Sequence, residues 1–433
     1  MPEKINVAVF PCGSEVGLEI HRALKYYRHF YLIGISSVSD HGRIVYNDYV
    51  GKIPFLKEKN FISELKKTIE EKKIHFLIPA MDEAGYYLKK NEESLGCEIV
   101  YPELRIANII RKKSDTYEAL KDVIKTPKVY KNLSEAKQNL PLFIKPDIGY
   151  GSRGARKIEN IEDVEYFSGT MDEYIVMENL PGKEYTIDCL SNNNGDILFS
   201  GARVRERVRM GISVSTQTVK NKKLFASIAK KIGQALKLKG IWFFQLKEDK
   251  KGELTLLEVA GRVSGSMALY RGLGVNFIAS ELFQRLGAEI EIPKLINEHA
   301  LLERSFDCKI EMNLTFDTVY CDLDDCLIIN GRVNEQMVAF LYQCLNKGKK
   351  LILITRHDVD PQKTLNNLRL AQLFDEIRHI KNRNISKTTE IRGSNGIFID
   401  DSFEERKDVA EACGIPTFAP DGIELIAENV RFK

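Results

Sequence analysis

Val319-Tyr320-Cys321-Asp322-Leu323-Asp324-Asp325-Cys326 runs from apolar residues straight into three carboxylates. The apolar half reads as a buried strand, and the acids at its end repel one another unless a divalent cation relieves the conflict. Ile397-Phe398-Ile399-Asp400-Asp401 repeats the pattern further along. Two strand-end acid clusters in one small α/β unit point to a Mg²⁺ site built for phosphate. Asp322 and Asp324 are two apart, so on an extended strand they face the same side. One carboxylate could then attack phosphorus while the other manages protons. Leu351-Ile352-Leu353-Ile354-Thr355 ends a further strand with a hydroxyl suited to a phosphoryl oxygen. Lys387, with Lys381 as the alternative, suits neutralising the developing charge, and Asp400 and Asp401 would complete the metal shell. The bland alternative is that these acids cap the helices that follow each strand.

The middle of the chain carries a second phosphate signature. Phe143-Ile144-Lys145-Pro146 reads as a strand ending in a lysine, and Gly149-Tyr150-Gly151-Ser152-Arg153-Gly154 follows. A glycine-rich loop turns backbone amides toward phosphate oxygens, and the lysine adds a point charge. No Gly-Lys-Ser/Thr closes the loop, so it is not the P-loop pattern. Met177-Glu178-Asn179-Leu180-Pro181-Gly182-Lys183-Glu184-Tyr185 links two strands, Gln245 lies on a later strand, and Glu258 nears the end of the next. Paired strand residues of this type can bridge Mg²⁺ to nucleotide phosphates.

In this order the motifs resemble the ATP-grasp family, and within it the branch of the carbamoyl-phosphate synthetase large subunit; the resemblance covers roughly residues 1–300. It implies ATP and Mg²⁺ as cofactors. It implies that Lys113 and Lys145 contact the phosphates with the loop Gly151, Ser152, Arg153 and Gly154, that Glu178 and Leu180 face the adenine, and that Glu184 holds the ribose. Gln245 and Glu258 would bind the metal, Arg262 would face the transferred phosphate or the acyl substrate, and Arg203 and Arg205 would meet the anionic substrate. The sequence departs from the family at Ala260, where an Asn metal ligand is usual, and at Phe243, where a polar residue is common. Residues 316–433 resemble the haloacid dehalogenase-like phosphohydrolases, which implies Asp322 as nucleophile, Asp324 as general acid and base, and a metal shell of Asp322, Asp324, Asp400 and Asp401. The usual Thr after the acid pair is Cys326 here, and the spacing leaves no room for a large cap.

The expected architecture is α/β and α+β multidomain: a Rossmann-like pre-ATP-grasp domain at 1–112, an ATP-grasp domain at 113–310 and a haloacid dehalogenase-like Rossmannoid domain with little or no cap at 316–433. A βαβ rhythm over the first part, denser strands from Ser114, and a return of βαβ near residue 315 carry that division. A helix over 222–238 with apolar positions Leu224, Ile228, Ile232 and Leu236 belongs to the middle part. A chain of 433 residues is too long for one core, and 43% hydrophobic residues suit a globular protein. With 64 basic and 61 acidic residues, net charge +3 gives no support to nucleic-acid or membrane binding. Eight cysteines at irregular spacing read as buried free thiols, and no signal peptide or membrane-length apolar run stands out, so a reducing cytoplasm is expected. The expected activity is a bifunctional carboxylate–amine ligase and phosphatase, its partners being a small carboxylate, an amine and a phosphorylated metabolite, with a homodimer left open. The alternative is a phosphatase regulated by a non-catalytic ATP-binding module.

Overall fold

The computed structural model describes all residues except 1–3, 131–132, 150–153, 161, 164–172, 210, 220–221, 294, 296–298, 307, 309, 311–313, 394 and 427–433. The chain divides into two compact units, Met1–Ser305 and Phe306–Lys433.

The first unit begins with a parallel sheet of β1 (Ile5–Phe10), β2 (Phe30–Ile35), β3 (Asp48–Val50), β4 (Phe76–Pro79) and β5 (Glu98–Ile99), in the order β3-β2-β1-β4-β5. Both faces are covered, as an all-parallel sheet requires. Ala8 and Phe10 pack on one side with Phe61, Leu65 and Leu88. Val7 and Val9 pack on the other with Ile20 and Leu24, in a core that also takes in Leu190, Ile241, Phe243, Tyr270 and Phe277 from later in the unit. Arg271 Nε to Glu19 Oε1 (2.7 Å) and Asn276 Nδ2 to the Ala23 carbonyl (2.7 Å) reinforce that junction.

Two antiparallel sheets follow. The smaller holds β6 (Val129–Tyr130), β7 (Leu142–Pro146), β8 (Arg156–Ile158) and β9 (Tyr174–Glu178), ordered β6-β9-β7-β8. The larger holds β10 (Glu184–Ser191), β11 (Ile197–Arg209), β12 (Ile212–Thr218), β13 (Gly240–Glu248), β14 (Leu254–Ala260) and β15 (Leu301–Glu303), ordered β14-β13-β10-β11-β12-β15. The helix Lys222–Leu236 packs on the larger sheet through Phe225, Ala229, Ile232, Gly233 and Leu236. The expected stripe is therefore turned by about one residue, and Leu224 is exposed. Trp242 is the reason. It is fully buried, and a Cβ at Gly233 would lie 3.2 Å from its ring. The helix therefore sets small residues against the indole.

The second unit is a parallel sheet of β16 (Thr318–Cys321), β19 (Lys350–Thr355), β20 (Glu376–His379), β21 (Gly396–Ile399) and β22 (Thr417–Phe418), ordered β20-β19-β16-β21-β22. Between β16 and β19 lie the helix Glu335–Asn346 and a hairpin, β17 (Ile328–Ile329) with β18 (Arg332–Val333). Asn330 and Gly331 form its turn with φ of 51° and 72°. That is the left-handed pair a two-residue hairpin demands. Buried strand residues such as Val319, Leu353, Ile397 and Ile399 form the core with Phe340 and Leu341 of that helix. Of the eight free cysteines six are buried, but Cys308 is exposed, against expectation. Among the described residues no helix is long and apolar enough to cross a membrane.

Candidate functional site

In the first unit the two antiparallel sheets face a cavity of about 120 Å³ lined by Lys113, Lys145, Met177, Leu180, Glu184, Gln245 and Glu258 among others. Lys145 reaches it from the end of β7. Its ammonium donates to Tyr117 Oη (2.9 Å) and to the Leu257 carbonyl (3.2 Å). Burial, aided by the nearby Lys113 charge and opposed by Glu258, Glu184 and Asp147, pulls its pKa down to about 7. A buried amine so depressed is poised to regain full charge when an anion arrives.

Lys113 opens the helix Lys113–Leu120, and its Nζ donates to the carbonyls of Asp147 (3.3 Å) and Gly149 (3.1 Å). Asp147 caps the same helix, its carboxylate accepting from Ser114 N (2.8 Å) and Ser114 Oγ (2.6 Å). An acid there satisfies a donor that the first turn leaves open. The helix and the glycine-rich loop are thereby tied together at their roots. Gly154 sits at φ 73°, where a Cβ would also press on Tyr174 Oη at 3.0 Å. Glycine alone adopts that conformation at no steric cost. Gly151, Ser152 and Arg153 lie outside the described residues.

Glu178 differs from expectation. Its carboxylate accepts from Lys128 N (2.9 Å) while its own N–H donates to the Lys128 carbonyl (3.0 Å). That side chain fastens β9 to its neighbour, and Met177 with the buried Leu180 supplies the apolar wall of the cavity instead. Nothing local in the sequence marks Met177 for this role beyond its place three residues before Leu180, a spacing that suits two apolar walls for a flat ring.

Across the larger sheet, Glu184 pairs with Arg205 and stands 3.7 Å from Lys247 Nζ. Arg205 also donates to the Gly211 carbonyl (2.8 Å). Gln245, with its amide oriented to satisfy both neighbours, accepts from Arg205 Nη1 (3.3 Å) and donates to Glu258 Oε1 (3.3 Å). The hydrogen-bond network sets that orientation. Glu184, Arg205, Gln245 and Glu258 thus form one polar chain over four strands. Arg205 acts there as a bridge between acid and amide as well as a cavity wall. Glu258 and Gln245 could hold a divalent cation, with a single carboxylate between them. Ala260 and Phe243 are Cα partners and both buried, so they add no ligand.

A second cavity, about 380 Å³, shares Arg205, Gln245 and Glu258 with the first and adds Arg203 and Arg262. Arg262 is locked by Asp82, Nε to Oδ2 at 2.8 Å, and lies over the Phe243 ring at 5.2 Å. Asp82 opens the helix that follows β4, so the first sheet orients an arginine just past the end of β14. Arg203 is buried rather than presented to solvent, with Nε donating to Asp188 Oδ2 (2.8 Å) and Nη2 to Ser264 Oγ (3.1 Å). Asp188 meets Arg203 across the β10–β11 pair, whereas Ser264 and Asp82 meet their arginines from 61 and 180 residues away, a distance no local pattern in the sequence encodes.

The second unit has its own acid cluster at the carboxyl ends of its strands. Oxygens of Asp322, Asp400 and Asp401 lie within 4.8 Å of one another. Lys387 sits among them, Nζ 3.0 Å from Asp322 Oδ1 and 2.6 Å from Asp400 Oδ2. Burial pushes Asp322 up to about 7 against the pull of Lys387, and the Asp400 charge adds to the rise. Burial would lower Lys387, but Asp322 and Asp400 outweigh it and hold the lysine charged. Three carboxylates against one ammonium make a donor set that a hard divalent cation fits.

Asp324 does not join this cluster as a side chain. β16 stops at Cys321, and Asp325 turns back at φ 52°. The two-residue period of a strand therefore no longer applies. The Asp324 carboxylate is held instead by His357 Nδ1 at 2.9 Å. Thr355 is fully buried, its Oγ1 accepting from His357 N (3.1 Å). Lys381 is exposed, and Lys387 is the lysine beside the acids.

A family model described as "ATP-grasp in the biosynthetic pathway with Ter operon" matches residues 170–303. A comparison with curated proteins finds no match. Among solved structures, the biotin carboxylase domain of Hydrogenobacter thermophilus 2-oxoglutarate carboxylase, in complex with MgADP, ADP and bicarbonate, is similar at 15% identity and a TM-score of 0.57, covering 66% of this chain and 70% of that one. N5-carboxyaminoimidazole synthetase from Staphylococcus aureus, complexed with ADP, is similar at 16% identity and 0.56, covering 69% and 81%. L-amino acid ligase from Bacillus licheniformis is similar at 18% identity and 0.54, covering 67% and 76%. At such identities the likeness is one of fold. Taken with the family match over residues 170–303 and the sheet arrangement, it supports an ATP-grasp domain in the first unit.

Proposed function

We propose that the first unit is an ATP-dependent carboxylate–amine ligase, of the branch resembling the carbamoyl-phosphate synthetase large subunit. We propose further that the second unit is a haloacid dehalogenase-like phosphohydrolase, which would make the chain bifunctional. The observation that carries the ligase assignment is the shared cavity into which Lys145 and Glu258 both project from opposite sheets. The solved relatives support it: one is a ligase of amino acids, and two hold ADP.

In this scheme a carboxylate oxygen of the acid substrate attacks the γ-phosphorus of ATP and ADP leaves, giving an acyl phosphate. An amine nitrogen then attacks the carbonyl and phosphate departs. Lys145 and Lys113 offset the charge of the phosphates, Glu184 receives the ribose hydroxyls, Met177 and Leu180 flank the adenine, and Arg262 faces the transferred group. Magnesium held by Glu258 and Gln245 would supply further charge compensation. In the second unit Asp322 attacks the phosphorus of a monoester while Asp324 protonates the departing alcohol oxygen; water, giving its proton to Asp324, then attacks the aspartyl phosphate, freeing phosphate and restoring Asp322, with Thr355 binding a phosphoryl oxygen and Lys387 balancing charge. Asp322, Asp400 and Asp401 would hold the metal there.

ADP release from MgATP with panels of acids and amines tests the ligase; silence across every pair sinks it. Phosphate release from an aryl phosphate tests the second unit. The buried apolar pair Ala260 and Phe243 favours one other scheme, a phosphatase governed by an ATP module without turnover. Asp322→Asn separates the two: it abolishes all chemistry under that scheme and spares ATP-dependent ligation under the first.

A further inference from the structure

Of the four side-chain polar atoms in the first unit that are buried without a hydrogen-bond partner among the described residues, two, Arg203 Nη1 and Thr186 Oγ1, face one cavity. Both residues line the larger cavity, yet their overall exposure is 2% and 1%. Thr186 on β10 is the Cα partner of Arg203 on β11 and of Gln245 on β13, and Gln245 is the partner of Glu258 on β14. Directly opposed residues of antiparallel strands present their side chains on one face. Glu258, Gln245, Thr186 and Arg203 therefore form a single transverse row along the cavity.

A buried polar atom left without a partner is costly, so two in one row call for a reason. Poor positioning is not the reason at Arg203. Asp188 and Ser264 satisfy Nε and Nη2, and Ser264 Oγ itself donates to Asp188 Oδ1 at 2.9 Å. That relay fixes the guanidinium with Nη1 as its open edge. Each lining arginine, moreover, already has a protein carboxylate: Asp188 for Arg203, Glu184 for Arg205, Asp82 for Arg262 and Glu15 for Arg304. The row thus offers directed hydrogen bonds without excess positive charge, which suits one carboxylate and disfavours a polyanion.

Strands are spaced about 4.8 Å apart, so Thr186 lies two spacings, about 10 Å, from Glu258, and Arg203 lies three, about 14 Å. A single small carboxylate beside Glu258 cannot reach them. We propose that Thr186 and Arg203 bind the far end of the acid substrate, which is a dicarboxylic acid: one carboxylate reacts beside Glu258, and the other is received by Thr186 Oγ1 and Arg203 Nη1. This rests on the ligase assignment for its reacting end.

The test uses the full chain with MgADP, titrated by calorimetry with suberate, azelate and sebacate, chains long enough to span two strand spacings, against octanoate, nonanoate and decanoate. At least one diacid is expected to bind tenfold or more tightly than its monoacid counterpart. Thr186→Val, which exchanges a hydroxyl for a methyl of the same shape, should lose that preference, and Thr186→Ser should keep it. Equal binding of both series, absence of binding, or a preference untouched in Thr186→Val overturns the proposal. Fluorescence of the buried Trp242 checks that each variant folds. ADP release measured in parallel with amines separates the two ideas. Diacid preference without turnover removes the ligase assignment alone, and turnover without diacid preference removes the subsite alone.

Discussion

Lys145→Met should make the first unit more stable while destroying its hold on ATP. The lysine is 9% exposed, and burial takes its pKa from 10.5 to about 7. The unfolded chain therefore binds this proton more tightly than the folded one, and native stability rises with pH between about 7 and 10.5. At pH 7 the strain amounts to about 4 kcal/mol, and at pH 9.5 to about 1 kcal/mol. Removing the lysine strands little, because Tyr117 Oη donates to the Leu257 carbonyl at 2.7 Å and the two former acceptors satisfy each other. A net gain of about 2–3 kcal/mol at pH 7 is expected, shrinking to within about 1 kcal/mol at pH 9.5. Trp242, the chain's one tryptophan, is fully buried in the first unit, so urea titrations followed by its fluorescence report that unit. A variant less stable than the parent, or a gain equal at both pH values, would refute the idea that this site stores strain for an anion to release.

Four further outcomes are expected. Apparent ATP affinity should weaken as pH rises from 6.5 to 8.5, by up to about tenfold per pH unit above 7, because Lys145 is charged below about 7 and loses its proton above it; a flat calorimetric profile counts against this. Glu258→Gln, which keeps a partner for Gln245 but removes the charge, should cut coupled-assay ADP release by about 100-fold or more. Asp322→Asn should abolish phosphate release from an aryl phosphate while leaving the stabilisation of the first unit by MgATP unchanged, both read on one preparation. Gly261→Ala should destabilise the first unit by about 1–3 kcal/mol in urea, since the new Cβ would overlap Pro102 Cγ.

Strand ends were the most legible part of this chain. An apolar run that terminates in charge exposes Lys145, Glu258, Asp322 and Asp400 to a reader of the sequence, because few other patterns place a charge at the rim of a buried sheet. Residues that act by holding another were not legible. Asp188, Ser264, Asp82 and His357 meet their partners across 15 to 180 positions, and no local period encodes such a meeting. The arginines from Arg203 to Arg209 mislead for a related reason. Both Arg203 and Arg205 read as contacts for an anionic substrate, yet protein acids hold them, and irregular register between Arg205 and Val208 leaves Arg203 buried and Arg207 exposed. Asp324 escaped for the opposite reason, a strand assumed to run too long.

The core shared by β1 and the helix Phe277–Arg285 bears on how this protein can be dissected. A fragment starting at residue 113 would lose Val7, Val9, Ile20 and Leu24, and would lay bare Ile241, Phe243, Tyr270 and Phe277 as one greasy patch. Arg262 would lose Asp82 in the same cut. Truncation libraries that trim residues 1–112 should therefore yield inclusion bodies instead of a minimal nucleotide-binding module, and any workable excision has to keep residues 4–305 together.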